Sequence, residues 1–147
     1  MIIQALSVVV DEADIAARLK EGLSSVSQLK DVTFSLAKGV VKIGGKFQVG
    51  FAIPFETHWS AEVLQPEGRL GVKLANVSVS FFGVSADTVR AQVMGALSQK
   101  LQNVAGVQVE GDLIVVDPVA LLAARGVRLG APVKRVDVLP GRVEIEV

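Results

Sequence analysis

The sequence predicts an α+β fold in which a long, strongly twisted antiparallel sheet wraps around one long amphipathic helix, with two short helices beside it. Two observations carry this prediction. From residue 40 to residue 64, apolar side chains occupy odd positions and polar ones even positions, which is the period of a β-strand. From residue 86 to about residue 103, apolar side chains recur every three or four positions, which is the period of an amphipathic helix.

The chain before residue 40 predicts a strand, a short helix and a second strand. Residues 2–10 are rich in β-branched side chains, which favour strands. Asp11 is a suitable N-cap, so we expect a short helix that ends near Gly22. After a polar loop, residues 32–36 alternate as a strand, and Lys38-Gly39 predicts a turn into the next element.

Residues 40–64 are the element around which we expect the rest to be organised. A straight strand of this length would measure roughly 80 Å, too long for a small domain. We therefore predict a single coiled ribbon that bends at Gly44-Gly45 and Pro54. Its odd face includes Phe47, Phe51, Phe55 and the only tryptophan, Trp59.

The strand after the turn at residues 65–68 changes phase. Its apolar residues lie at even positions up to Leu74 and at odd positions from Val77 onward, so an unbroken strand would send half of them to the wrong face. We predict a β-bulge at Ala75-Asn76 that restores the common face.

The long helix starts after Ser85, a good N-cap, and it is the only predicted helix long and apolar enough to cover the odd face of the ribbon. Beyond it we predict a hairpin across Gly111-Asp112, a short helix opened by Asp117-Pro118, and a last hairpin across Pro140-Gly141. No repeat or linker interrupts the pattern, so we expect one domain over residues 1–147.

Composition narrows the classes of function. The 15 basic and 15 acidic residues cancel, so no global field favours nucleic acid, and the absence of cysteine excludes disulfides and thiolate sites. Half of the residues are hydrophobic and the mean hydropathy is +0.50, which indicates a large core or an apolar surface for a ligand or partner. No apolar run approaches the ~18 residues of a membrane span, and residues 1–10 lack the basic start of a signal peptide. The chain as given predicts a cytoplasmic protein.

We predict no catalysis, cofactor or metal. The only histidine, His58, lies among Glu56, Ser60 and Glu62, so a Ser-His-Glu set is conceivable. No turn supplies an oxyanion site for it, however, and no ligand spacing suits a metal. An exposed histidine in a strand explains the pattern better.

The odd face of the ribbon is the candidate site, and two interpretations stay open. It is either a plain core under the long helix or an apolar groove that one helix cannot fill. The side chains that would line the groove are Phe47, Val49, Phe51, Ile53, Phe55, Trp59, Val79, Phe81, Val93, Leu97 and Leu101. Lysines and arginines in two clusters could contact lipid headgroups or simply protect a strand edge and a solvated loop. The headgroup candidates are Lys42, Lys46, Arg125 and Arg128.

Four segments carry a resemblance to a known family: VVVDEADIAARL, DVTFSLAKGVVKIGGKF, GRLGVKLANVSVSFFGV and VDPVALLAARGVRLGAPVKRVDVLPGRVEIEV. Together they resemble the tubular lipid-binding (TULIP) half-barrel, and most of all the bacterial LmeA-like phospholipid-binding family. The resemblance implies an apolar channel between sheet and helix that holds acyl chains.

Our leading hypothesis is therefore non-enzymatic binding of a lipid or another apolar ligand, with peripheral membrane contact. The alternative is a structural or interaction protein whose apolar surface forms a homo-oligomer interface. The N-terminal strand carries no charge before Asp11, and an unprotected edge of that kind favours pairing with another chain, so we also expect a homodimer.

Overall fold

The computed structural model describes residues 2–3, 7–48, 50–65, 68–79, 83, 85–130 and 132–147. Within these ranges the fold is α+β, dominated by a large antiparallel sheet, as predicted. None of the helices in these ranges is long and apolar enough to cross a membrane.

The strands are β1 (Ile2–Ile3), β2 (Ser7–Asp11), β3 (Leu29–Ala37), β4 (Val40–Gln48), β5 (Ala52–Leu64), β6 (Arg69–Val79), β7 (Val107–Glu110), β8 (Leu113–Val116), β9 (Arg128–Leu129), β10 (Arg135–Leu139) and β11 (Arg142–Glu146). The helices are α1 (Glu12–Leu23), α2 (Ala86–Leu101) and α3 (Pro118–Ala123). A six-stranded sheet has the order β3-β4-β5-β6-β8-β7, a three-stranded sheet has the order β10-β11-β2, and β1 pairs with β9 in parallel.

The predicted single ribbon over residues 40–64 is wrong, because β4 and β5 form an antiparallel hairpin. The turn contains Gly50 at a φ of 85°, a conformation that glycine adopts without strain. Val41 pairs with Trp59 and Phe47 with Ile53, so odd residues face odd residues. Paired residues share a face, and the odd positions of both strands therefore form one apolar surface.

Gly44 and Gly45 do not form a bulge against β5, because β4 pairs with β5 in unbroken register. The irregularity lies in the neighbouring strand, where β3 shifts register between Lys30 and Thr33, and Asp31 adopts a φ of 52°. A Cβ on Gly45 would lie 3.0 Å from the carbonyl oxygen of Lys30. The missing side chain at Gly45 thus allows the bulged strand to approach.

The predicted bulge in β6 is present. His58 pairs with Asn76 and Trp59 pairs with Leu74, which leaves Ala75 as the extra residue. Leu74 on one side of the bulge and Val77 on the other are both buried in the main core. The extra residue therefore keeps the apolar side chains of both halves of β6 on the same face.

Two helices, rather than one, lie over the apolar face. α1 packs against β3, whereas α2 packs against β6 and β7 and places Val89 and Met94 in the core cluster with Phe55 and Trp59. Six strands at ~4.8 Å spacing make the sheet roughly 24 Å wide, about twice the diameter of a helix. The expectation of a sheet wrapped around a single long helix fails because the hairpin widens the sheet.

The three-stranded sheet ties the two ends of the chain to this framework. β11 lies between β10 and β2, and β10 lies against β3, β4 and β5. The Gly39 N–H donates to the Val138 carbonyl at 2.8 Å, and the Glu12 N–H donates to the Gly141 carbonyl at 2.9 Å. The Glu12 carboxylate also accepts the Leu36 N–H, so the first turn of α1 is fixed to β3.

Deleting Ala75 should unfold the domain or lower its free energy of unfolding by at least ~3 kcal/mol, because one half of β6 must then turn its apolar side chains to the polar face. The matched control is Ala75→Ser at the same exposed position, which should change stability by less than ~0.5 kcal/mol. Urea denaturation followed by Trp59 fluorescence measures both. Equal stability of the two variants would contradict the role given to the bulge.

Candidate functional site

A small apolar cavity lies between α1, α2 and the strands β3, β4 and β5. Its lining residues are Leu19, Leu23, Leu29, Val32, Ile43, Gly44, Phe55, Thr57, Trp59, Val93, Ala96 and Leu97. The cavity volume is about 40 Å³. That exceeds the ~10–15 Å³ that one water needs, but it is well below the ~150 Å³ of a cavity that binds benzene.

The cavity exists because the helices rest on different strands. α1 supplies Leu19 and Leu23, which are four residues apart and therefore lie on one face of the helix. α2 supplies Val93, Ala96 and Leu97, spaced by three and four residues. The short side chain of Ala96 faces the gap above the central strands and leaves space there.

Among the described lining residues, Thr57 and Trp59 have side-chain hydrogen-bonding groups, and both groups are satisfied. Thr57 is 1% exposed, donates to the Ile43 carbonyl at 2.6 Å and accepts from Nε1 of Trp59 at 2.7 Å. The hydrogen-bonding groups of the cavity wall are thus used within the wall. The remaining surface suits hydrocarbon rather than a polar ligand.

Phe55 connects the cavity to the core behind it. Its ring lies 5.4 Å from the ring of Phe47 at an interplanar angle of 43°, an ordinary tilted aromatic contact. The Phe55 ring also covers Gly45, since a Cβ on that residue would lie 3.5 Å from it. The ring is therefore held in place by its neighbours on the sheet.

The structure brings together part of the predicted groove. Phe55, Trp59, Val93 and Leu97 line the cavity. Phe47 and Ile53 are buried in the adjoining core, and Val79 packs against it. Phe51 lies in the β4–β5 turn and is 49% exposed, and Leu101 lies at the end of α2 beside β7. Val49 and Phe81 lie outside the described residues.

Sequence reasoning missed the contribution of α1 and of Thr57. The predicted helix ended near Gly22 and so left Leu23 outside it, and a single long ribbon offered no place for a second helix on the apolar face. Thr57 is at an odd position and therefore falls on the apolar face of the strand. Trp59, two residues further along the same face, has an indole N–H that needs an acceptor, and this is the signal that could have identified Thr57 as its buried hydrogen-bond partner.

The proposed headgroup contacts do not lie on the cavity wall. Lys42 and Lys46 are at even positions of β4, on the face opposite to Phe55, and Nζ of Lys46 lies 3.4 Å from Oδ2 of Asp31. Arg125 follows the C-cap of α3, and Arg128 belongs to β9, which is in a different sheet from β3, β4 and β5. None of these four candidates is among the lining residues of the cavity.

His58 shows no catalytic geometry in the described part of the chain. Its Nε2 lies 3.6 Å from Oε1 of Glu56, which is too long for the hydrogen bond that orients a catalytic base. No group of three or more histidine, aspartate and glutamate side chains within those ranges could hold a metal ion.

Comparison with family models, curated proteins and solved structures finds no match for the chain. A function for it therefore has to be inferred from the cavity, its lining and the charges around it.

Replacing Thr57 by Val keeps the shape of the side chain but removes the acceptor of the Trp59 indole N–H. We expect a loss of about 2 kcal/mol in the free energy of unfolding, because a buried donor left without a partner costs ~1–3 kcal/mol. Thr57→Ser keeps the hydroxyl group and should lose only ~0.8 kcal/mol for one methyl group. Chemical denaturation measures the free energy of unfolding of both variants. A Val variant as stable as the Ser variant would contradict the conclusion that the Thr57 hydroxyl group satisfies the Trp59 N–H.

Proposed function

We propose that this protein binds the hydrocarbon chain of a lipid between α1 and α2 and catalyses no reaction. The observation that carries the proposal is the cavity wall: among the described lining residues, the side-chain hydrogen-bonding groups are the Thr57 hydroxyl group and the Trp59 indole N–H, and both are already hydrogen-bonded within the wall. The TULIP resemblance of the sequence and its mean hydropathy of +0.50 support the same conclusion.

The cavity at about 40 Å³ is too small for an acyl chain, so binding requires that the helices separate. α2 is the fixed side, because Nη1 of Arg90 donates to Oδ2 of Asp112 at 2.7 Å and to the Leu74 carbonyl at 3.3 Å. α1 is held at its first turn through Glu12. The loop after its far end is anchored to β4 at Gln28, whose carbonyl accepts the Gln48 N–H at 2.8 Å, so residues 24–27 are the segment that has to move. The gap therefore opens at the C-terminal end of α1.

One contact spans the opening end. The Lys100 ammonium group near the end of α2 donates to the Ser25 hydroxyl group in the loop after α1, and both residues are exposed. An exposed contact of this kind contributes at most ~1 kcal/mol, so it closes the gap without locking it. Opening exposes apolar side chains that a ligand then covers again.

The free energy of burial supports a dissociation constant of tens of micromolar at best. Each buried CH₂ group contributes ~0.8 kcal/mol, so a chain of twelve methylenes gains roughly 10 kcal/mol. Association costs at least ~4 kcal/mol, and the remaining ~6 kcal/mol must also separate the helices. Because no basic side chain in the described ranges lines the cavity, we expect affinity to follow chain length. The exposed Lys100 at the opening adds only a small preference for anionic headgroups, which salt screens.

A long-chain fatty acid or lysolipid, titrated below its micellar concentration, should shift Trp59 fluorescence in a saturable way and raise the melting temperature, since a ligand that binds the folded state stabilises it. Ala96→Leu fills the cavity from the half-buried face of α2 and should weaken binding at least ~10-fold, while overpacking should cost no more than ~1–3 kcal/mol of stability. Isothermal titration calorimetry gives the two affinities.

Ala86→Leu is the matched control, because Ala86 lies in the same helix, is exposed and does not line the cavity. It should bind like the wild type. Acyl ligands that leave Trp59 fluorescence and the melting temperature unchanged, or that bind the Ala86 and Ala96 variants equally, would remove the lipid-binding proposal. The alternative function, an interaction protein, would then replace it.

A further inference from the structure

We propose that β2 is a self-association edge, which pairs antiparallel with the β2 strand of a second copy of this chain across a two-fold axis at Val9. The pairing would join two three-stranded sheets into one six-stranded sheet. The inference is independent of lipid binding, because β2 contributes no residue to the cavity wall.

The backbone of β2 has one free side in the described structure. β2 is the outer strand of the order β10-β11-β2, and Val8 and Val10 pair with Ile145 and Val143 of β11. The Glu12 N–H donates to the Gly141 carbonyl, which continues the same register. Hydrogen-bonded pairs alternate along an antiparallel ladder, so Val10 and Val8 bond to β11. The backbone groups that point to the open side are those of Ser7, Val9 and Asp11.

The strand is self-complementary about its central residue. Its sequence is Ser-Val-Val-Val-Asp, and a two-fold axis at Val9 places Val9 opposite its copy and Ser7 opposite the partner's Asp11. The hydroxyl group of Ser7 is a donor and the carboxylate of Asp11 is an acceptor, so the flanking pairs are complementary as well. Val9 is 56% exposed, and Ser7 and Asp11 are exposed too. A two-fold interface requires this kind of self-complementarity.

Two other outer strands carry features within the strand that discourage pairing. β3 is bulged at Asp31, and β10 carries Asp137. Charges and bulges on outer strands are the usual protection against association. β2 has neither between its end residues, and its middle residues are three valines.

The partner that fits this edge is a second copy of the chain rather than a different protein that needs a large interface. Two strands of 5 residues cover far less than the ~1,600 Å² of a standard interface. The dimer should therefore be weak and dependent on concentration. Its energy comes from a few backbone hydrogen bonds and from the burial of Val9 against its copy.

Sedimentation velocity of the full chain over a range of concentrations tests the proposal. The wild type should approach twice the 15.5 kDa chain mass at high micromolar concentration. Val9→Lys places a charge at the centre of the edge and should raise the dimer dissociation constant at least ~10-fold. Val119→Lys is the matched control, since Val119 is 44% exposed on α3, and it should dimerise like the wild type.

A second variant tests the register. The chain has no cysteine, so Val9→Cys carries a single thiol. Across a hydrogen-bonded antiparallel pair the Cα atoms lie ~5.5 Å apart, within the range of a disulfide. Oxidised Val9→Cys should form a covalent dimer at least ~10-fold faster than Val119→Cys. A monomeric wild type at high micromolar concentration, a Val9→Lys variant that dimerises like the wild type, or equal crosslinking of the two cysteine variants would each overturn the proposal.

Discussion

The constraint on which the structure depends is the width of its apolar sheet face. The odd-to-odd pairing of β4 and β5 collects the aromatic side chains on one surface, and β3 and β6 extend that surface on both sides. One helix covers about half of such a width. The chain therefore uses two helices that rest on different strands, and the space between them becomes the cavity.

The apolar face stays continuous because a strand contains one extra residue wherever a regular strand would turn its apolar side chains to the opposite face. The extra Ala75 in β6 keeps both Leu74 and Val77 in the core, and the irregularity at Asp31 in β3 fits against Gly45 of β4. Both bulges increase the local twist of their strands. The wall at Phe55 and Trp59 is thus shaped by backbone irregularities as much as by side chains.

Much of this could be predicted from local signals. The Ser85 and Asp117 caps, the Lys38-Gly39 turn and the Ala75 bulge depend on neighbouring residues, and all four are present. The β4–β5 hairpin could not be recognised by alternation, because its pairs join odd with odd residues and leave the pattern of one strand unchanged.

That single error explains what was missed at the candidate site. The positions of Trp59 and Leu97 in the cavity wall could be predicted from the alternation of the strand and the period of the helix. The position of Leu19 in that wall depends instead on the final width of the sheet. Strand order is set by contacts between residues distant in sequence, and local pattern carries no information about it.

The proposed interface and the proposed cavity meet at α1. β2 ends at Asp11 and α1 begins at Glu12, so no loop separates the self-association edge from the helix that borders the cavity. A second copy paired on β2 would immobilise the first turn of α1, where Glu12 is already bonded to Leu36 and Gly141. The cavity side chains Leu19 and Leu23 lie toward the other end of the helix, about two and three turns away. Dimerisation would thus leave the opening end of α1 free, so association and ligand binding are compatible in one molecule.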